Sequence, residues 1–387
     1  MLESVNPRLV FAIAFVTGII AVLWFDRNKI ERHSILFIRR TQHGIELLDK
    51  VAKKAPRFWN GYAWAGVIAA IISLPLMVFQ MGWIVNNFIS TGSAEGGPSA
   101  ILPGLTSEQT IGGNLSAGVT FIPVEYWVVS IAIIMIVHEA SHGIVARMED
   151  FEINSVGWLV LGIIPGAFVE PKGMELGKED DQDANPTGMW DQGNWKQRLK
   201  VLSAGSWANY VTALILFVSA IGVTSAVVSP TLMYESQEGF AAAEAGMASG
   251  EIQQINNVTV TDFDQVSTVL QDVRPGDTVT VKTSEREQAF SFEAGEREGM
   301  EQGYLGLQFS NISSGWRWFI NLINMAAFLN LAIGMFNMLP AKPLDGGHIL
   351  DTFVERFGKE SQRKYVNYFS AFMWIIVLGS LIAALIL

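Results

Sequence analysis

Six long apolar runs, separated by polar stretches, set the pattern of the chain. They fall near residues 8–25, 62–85, 124–146, 201–228, 316–339 and 368–387. A helix needs about 20 apolar residues to cross a hydrocarbon core of about 30 Å, and each run is of that order. The pattern predicts a multi-pass α-helical membrane protein of about six spans. The first run does not read as a cleaved leader, because Asp26, Arg27, Asn28 and Lys29 follow it instead of a small-x-small site.

Between the fourth and fifth runs the period changes. Residues 232–310 hold short alternating stretches such as Thr278–Thr283, turns rich in Gly and Asn, and one amphipathic stretch with Phe263, Val266, Leu270 and Val273 on a common face. These features predict a small α/β domain over 229–315, inserted between two parts of a membrane core, 124–228 and 316–387. A two-span region, 1–123, precedes them. Residues 86–123 read as a loop rich in Gly, Ser and Pro, and 172–196 as a polar acidic loop around Glu179, Asp180 and Asp181.

Composition agrees with the spans. Of 387 residues, 50% are hydrophobic and only 16% charged, against about a quarter charged in soluble domains; mean hydropathy is +0.31. There is no cysteine, so disulfides and thiolate ligands are excluded. The net charge of −11 and the absence of a basic block suited to it exclude nucleic acid as a partner. Lysine and arginine also set an orientation. Segment 26–60 carries nine of them, and 340–367 carries Lys342, Arg356, Lys359, Arg363 and Lys364. Positive loops face the cytoplasm, which puts both termini and the inserted domain outside in a cell membrane.

The third run contains IMIVHEASHG. His138, Glu139 and His142 form H-E-x-x-H. On a helix, positions i and i+4 share a face, so two imidazoles can hold one zinc ion beside a glutamate general base. Ionisable groups within a span generally mark function. His138 lies some 14 residues after Val124, about 20 Å into a core of about 30 Å, so the site is expected nearer the cytoplasmic side. A catalytic zinc takes three protein ligands. His33 and His43 lie in a basic, exposed loop. The better source is NMLPAKPLDGGHIL, residues 337–350, where Pro340 and Pro343 break the helix before Asp345, with His348 as its competitor.

H-E-x-x-H in a span, followed by N-x-x-P-x-x-P-L-D-G-G at the end of a later one, resembles the site-2 protease family of intramembrane metalloproteases. The resemblance implies one Zn2+ held by His138, His142 and Asp345, with Glu139 as the base. It implies that Asn337 polarises the scissile carbonyl or steadies the substrate. Residues 162–171, with Gly166 and Phe168, resemble the family's glycine-rich segment, which can pair with an unwound substrate as an edge strand. Gly205 and Asn209 match its G-x-x-x-N pattern, which places Asn209 in the substrate-binding or transition-state set. The inserted domain resembles a PDZ domain. The implied activity is cleavage of a transmembrane protein substrate within the lipid bilayer, in regulated intramembrane proteolysis after an upstream protease has acted. Two rival readings stand beside it. One is a non-catalytic membrane protein that recruits partners through the PDZ-like domain. The other is a metal transporter, which requires polar residues along several spans.

Overall fold

The computed structural model describes residues 6–92, 99–105, 118–162, 164–173, 190–237, 239–297 and 302–386. The acidic triplet Glu179–Asp181 and parts of the 86–123 loop lie outside them. The chain divides into two compact units, Met1–Phe217 with Asn324–Leu387, and Val218–Ile323.

The first unit begins with α1 (Pro7–Phe25), strands β1 (Glu31–His33) and β2 (Leu36–Thr41), α2 (Ile45–Lys54) and α3 (Pro56–Thr91). A parallel pair, β3 (Ser99–Gly104) and β4 (Gly118–Pro123), leads to α4 (Val124–Met148), the hairpin β5 (Ile153–Leu161) and β6 (Ile164–Pro171), and α5 (Trp195–Val227).

The second unit holds β7 (Met233–Ser236), α6 (Ala241–Glu244), β8 (Ser249–Ile255), β9 (Val258–Thr259), α7 (Phe263–Leu270), β10 (Thr278–Thr283), β11 (Phe290–Glu293) and β12 (Leu307–Ser310). The chain then returns through α8 (Ser314–Asn337), α9 (Asp345–Phe357) and α10 (Arg363–Ile386) to complete the first unit.

Among the described residues, six helices are long and apolar enough to cross a membrane: α1, α3, α4, α5, α8 and α10. They match the six apolar runs, but several extend further. Helix α3 has 36 residues, about 54 Å at 1.5 Å per residue. Apolar composition marks only the part that must be apolar. The helix itself runs on from Pro56 at its first turn to the left-handed Gly92 that caps it. Large apolar side chains such as Ile20 and Phe79 remain 60% and 72% exposed, as lipid-facing positions require. Helix α1 has no buried side chain and meets α4 through the Arg8–Glu125 ion pair and the Phe15–Trp127 edge contact.

The basic 26–60 segment carries no strand signal and, within 147–200, only residues 162–171 suggest an edge strand, yet the two segments combine into one antiparallel sheet of order β1-β2-β5-β6. Strands β1 and β2 are short and carry charged residues, and β5 has no regular apolar–polar alternation. Arg40 on β2 reaches across β5 to Glu170 on β6 with two hydrogen bonds of 3.0 Å, and Ser155 donates to the same carboxylate. Glu170 is only 2% exposed. The pair ties the outermost strand to the rest of the sheet.

In the second unit the sheet order is β11-β10-β8-β7-β12, antiparallel throughout, with β9 paired to β8. Alternation along β10 puts Val279, Val281 and Thr283 inside. They join Leu232, Ile255, Val260 and Val266 in the core. The amphipathic stretch is shorter than its pattern suggests. Asp262 caps α7 by accepting the Gln265 N–H, and the helix ends at Leu270. Val273 is buried just beyond it, whereas Phe263 is half exposed.

Removing Arg40 alone leaves a buried carboxylate without its partner, a change that costs about 3–5 kcal/mol. Arg40→Met is therefore expected to lower the thermal or denaturant midpoint in detergent markedly, and Arg40→Met/Glu170→Met to recover most of the loss. Equal destabilisation of both variants would show that the pair does not hold the sheet.

Candidate active site

Helix α4 carries His138, Glu139 and His142. Their positions follow from helical spacing: the two imidazoles lie one turn apart with ring centroids 4.6 Å from each other, nearly perpendicular at 79°. Their Nε2 atoms are 3.0 Å apart. Helix α2 braces this end of α4. Leu48 fills the space that a side chain at Gly143 would take, and Arg147 pairs with Asp49.

Asp345 arrives from far along the sequence. Helix α8 stops at Asn337, and Pro340 and Pro343 occupy the turn before α9. That turn is held on both sides. Trp374 Nε1 donates to the Lys342 carbonyl at 2.9 Å, and Ser370 Oγ accepts the Lys342 N–H at 3.2 Å. Gly346 and Gly347 let α9 start directly against it. A Cβ on Gly346 would lie 2.4 Å from the Met338 carbonyl oxygen, and one on Gly347 would lie 2.3 Å from the Lys342 nitrogen. Farther along α9, Lys342 and Arg363 bind Asp351, and Arg198 binds Glu355. Burial alone pushes the Asp351 carboxyl up, but the bonds from Arg363 and Lys342 bring it below the ordinary carboxylate value.

The result is convergence. Asp345 Oδ2 lies 3.4 Å from His138 Nε2 and 3.5 Å from His142 Nε2. Among the described residues, these three form a group of potential metal ligands whose donor atoms all lie within 4.8 Å of one another. Asp345 Oδ2 is buried and makes no hydrogen bond. Donors placed about 2.0–2.1 Å from a tetrahedral ion are about 3.3–3.4 Å apart, close to the separations here. Two neutral imidazoles and a carboxylate are also a donor set typical of Zn2+, so the residues present fit that ion. His348, one turn further along α9, is not in the cluster. Burial and the nearby Lys342 hold its pKa below the ordinary histidine value.

Helix α5 backs the cluster through residues four apart, which share one face. The Val201 carbonyl accepts the His142 Nδ1–H at 2.7 Å. The Asn209 amide lies 3.1 Å from His138 Nδ1. Gly205, between them, has no side chain. A Cβ there would sit 2.3 Å from His142 Nε2 and 2.6 Å from His138 Nε2, in the space where the donors converge.

Glu139 points elsewhere. Its Oε2 accepts the Val169 N–H at 3.0 Å, which fixes the carboxylate between the histidine pair and β6. Strand β6 is an edge of its sheet. Because Val169 gives its N–H to Glu139, it faces away from β5, and by antiparallel alternation so does Ala167. Gly166 and Phe168 have the other parity and turn their main-chain groups toward Leu159 and Gly157. Phe168 is buried over Gly157, where no side chain would fit beneath it. Asn337 is the last residue of α8, half-buried and outside the three-donor cluster.

Several of these partners are absent from the sequence reading. Val201 and Val169 act through main-chain atoms, which no residue pattern reports. The G-x-x-x-N spacing of Gly205 and Asn209 is visible, but its use against the histidines is not.

Fold and site together define a multi-pass membrane protein that contains a group of potential metal ligands. A model of peptidase family M50 matches residues 126–379. The chain belongs to that family, the site-2 protease family, and is a membrane metalloprotease at the family level. A similar protein is the uncharacterized protein MJ0971 of Methanocaldococcus jannaschii. It is 23% identical over 395 residues, an alignment covering 97% of this chain and 98% of that one. The alignment thus extends over the N-terminal region that precedes the family match.

The geometry distinguishes the two candidates for the third ligand. In purified protein, Asp345→Ala is expected to lose bound zinc and cleavage, while His348→Gln keeps both, as read by metal analysis after dialysis. Full zinc in Asp345→Ala, or its loss in His348→Gln, would reverse the assignment.

Proposed function

We propose that the protein is an intramembrane zinc endopeptidase that hydrolyses a peptide bond in or near a transmembrane helix of a membrane protein substrate. The observation that carries this reading is the convergence of Asp345, at the start of α9, with His138 and His142 beside Glu139 on α4, a helix long and apolar enough to span a bilayer. A transporter would need polar groups along its spans to form a path. Here the polar groups near the histidines serve the cluster itself: Asn209 and the Val201 carbonyl each meet an imidazole.

Zinc bound by His138, His142 and Asp345 supplies Lewis acidity that polarises a carbonyl and lowers the pKa of water to about 7. The remaining work falls to the chain. Glu139 takes the proton of the attacking water and passes it to the leaving amine. The Val169 N–H keeps its carboxylate aimed between β6 and the cluster. The outer edge of β6, offered by the main-chain groups of Ala167 and the carbonyl of Val169, holds an unwound substrate segment by strand addition. Unwinding is required, because a helix keeps its carbonyls bonded within itself. Asn337, at the end of α8, steadies the scissile carbonyl.

Residues 229–315, within the Val218–Ile323 unit, are read as a PDZ-like domain outside the cell, acting as a size filter or sensor for substrates already shortened by an upstream protease. Regulated release of a cytoplasmic fragment follows from that order of cuts.

Glu139→Gln is expected to retain zinc and fold normally while cleavage of a tagged membrane helix falls by at least about 10²–10⁴-fold. Near-normal turnover in this variant would remove Glu139 from the chemistry. The orientation has its own test, since the chain has no cysteine. A membrane-impermeant thiol probe should label a cysteine replacing Glu296 in intact cells, but not one replacing Lys359. The opposite pattern would invert the topology.

A further inference from the structure

The Asn209 side chain is completely buried, at a depth where an amide must have a reason to be. Its Nδ2 stands 3.1 Å from His138 Nδ1, while its Oδ1 is buried with no hydrogen-bond partner. The two ends of a terminal amide have nearly the same shape and exchange by a half-turn about Cβ–Cγ. Only one orientation is compatible with a metal on His138. Neutral imidazole has one N–H and one lone pair. If the Asn209 NH2 donates to Nδ1, that nitrogen supplies the lone pair and the proton sits on Nε2, the atom that faces Asp345 and His142. If Oδ1 accepts from Nδ1–H, the Nε2 lone pair is free, and the unsatisfied oxygen gains its partner.

We infer that Asn209 is a positioning residue, acting through His138. Its amide oxygen accepts the His138 Nδ1–H and so fixes the tautomer and ring orientation that present Nε2 to a metal ion. The inference rests on the proposed zinc peptidase reading and assigns Asn209 to the metal site in place of the substrate. The other histidine is handled the same way by a different atom. His142 Nδ1–H is held by the Val201 carbonyl at 2.7 Å, so its Nε2 is already the free nitrogen. Helix geometry explains why one residue is a side chain and the other is not. Val201 and Asn209 lie two turns apart on one face of α5, with Gly205 between them. At Gly205 the helix comes so near the rings that a Cβ would lie 2.3 Å from His142 Nε2. Toward Val201 the backbone itself reaches Nδ1, whereas toward Asn209 a side chain has to bridge the gap. An acceptor on the distal nitrogen of a ligating histidine also raises its basicity.

The experiment compares wild type, Asn209→Leu and Asn209→Asp as full-length protein in detergent. Zn2+ affinity is measured by competition with a chromophoric chelator, and site geometry by the visible spectrum of the Co2+-substituted protein. Asn209→Leu is expected to weaken Zn2+ binding by about 10–100-fold. Asn209→Asp, whose carboxylate can only accept, is expected to restore the affinity and the tetrahedral Co2+ spectrum. A structural role for the amide would not be rescued this way, because a buried carboxylate lacking the Nδ1–H would be worse tolerated than leucine. Zinc binding at wild-type strength in Asn209→Leu would overturn the inference. So would binding in Asn209→Asp as weak as in the leucine variant, which would mean that the NH2 is the working group. If Asn209→Leu does not fold, the aspartate variant alone decides between these outcomes. Failure of the wild-type protein to bind Zn2+ at all would instead remove the zinc peptidase reading beneath it.

Discussion

Three donor atoms, two imidazole nitrogens and one carboxylate oxygen, face a common point from 3.0 to 3.5 Å apart. Their lone pairs repel one another unless a cation or proton lies among them, and the site lies where little water can screen them. The rest of the first unit answers this constraint. Helix α4 brings two donors by its own periodicity. The third must come from elsewhere, so α8 ends, the chain turns through two prolines, and α9 begins at Asp345. The turn is fixed by Trp374 and Ser370, and the far half of α9 by the Lys342, Arg363 and Arg198 ion pairs. These ion pairs anchor a helix that is too short to position itself.

A second constraint acts on Glu139. In the proposed mechanism a general base must stay close to the metal site without becoming a fourth ligand. The chain meets this by giving the carboxylate a partner on the other side, the Val169 N–H. That partner is reliable only if β6 is immobile. The Arg40–Glu170 pair supplies this, one residue along the strand, by tying the edge to a strand two places away. A buried ion pair is weak evidence for stability, since an apolar substitute of the same shape often does as well. Its value here is register: one step along β6 would replace the Val169 N–H with a group of opposite parity.

The sequence made the donors legible because their spacing is a property of helices. His138 and His142 share a face whatever surrounds them, and the two prolines before Asp345 state that the helix must end. The six spans were equally plain, since lipid imposes a length. Loss of legibility begins where the main chain does the work. The Val201 carbonyl and the Val169 amide carry no residue signature. Strands β1 and β2 are short and carry charge, and β5 lacks a regular apolar–polar alternation, so none of them stands out until long-range pairing joins them. Residues 162–171 show the same limit, since the sequence singles out Gly166 and Phe168 there. Gly166 and Phe168 stand out in sequence because they are unusual residues, but their backbone groups face β5. The outward-facing main-chain groups are those of Ala167 and Val169, which have nothing distinctive about them, and the Val169 N–H is already given to Glu139.

Helix α5 shows how a weak pattern becomes intelligible once its neighbours are known. From sequence, Gly-x-x-x-Asn is a family pattern that points Asn209 to the substrate, while a small residue such as Gly205 lets helices approach. The same closeness serves the histidines. Without a side chain at Gly205 the helix can come within hydrogen-bonding reach of one imidazole through its backbone, and it then needs an amide to reach the other. A larger residue would push α5 away and break both contacts together, although it touches the Nδ1 atom of neither ring. Glycine and asparagine are therefore coupled by geometry: the first sets the distance at which the second is the right length.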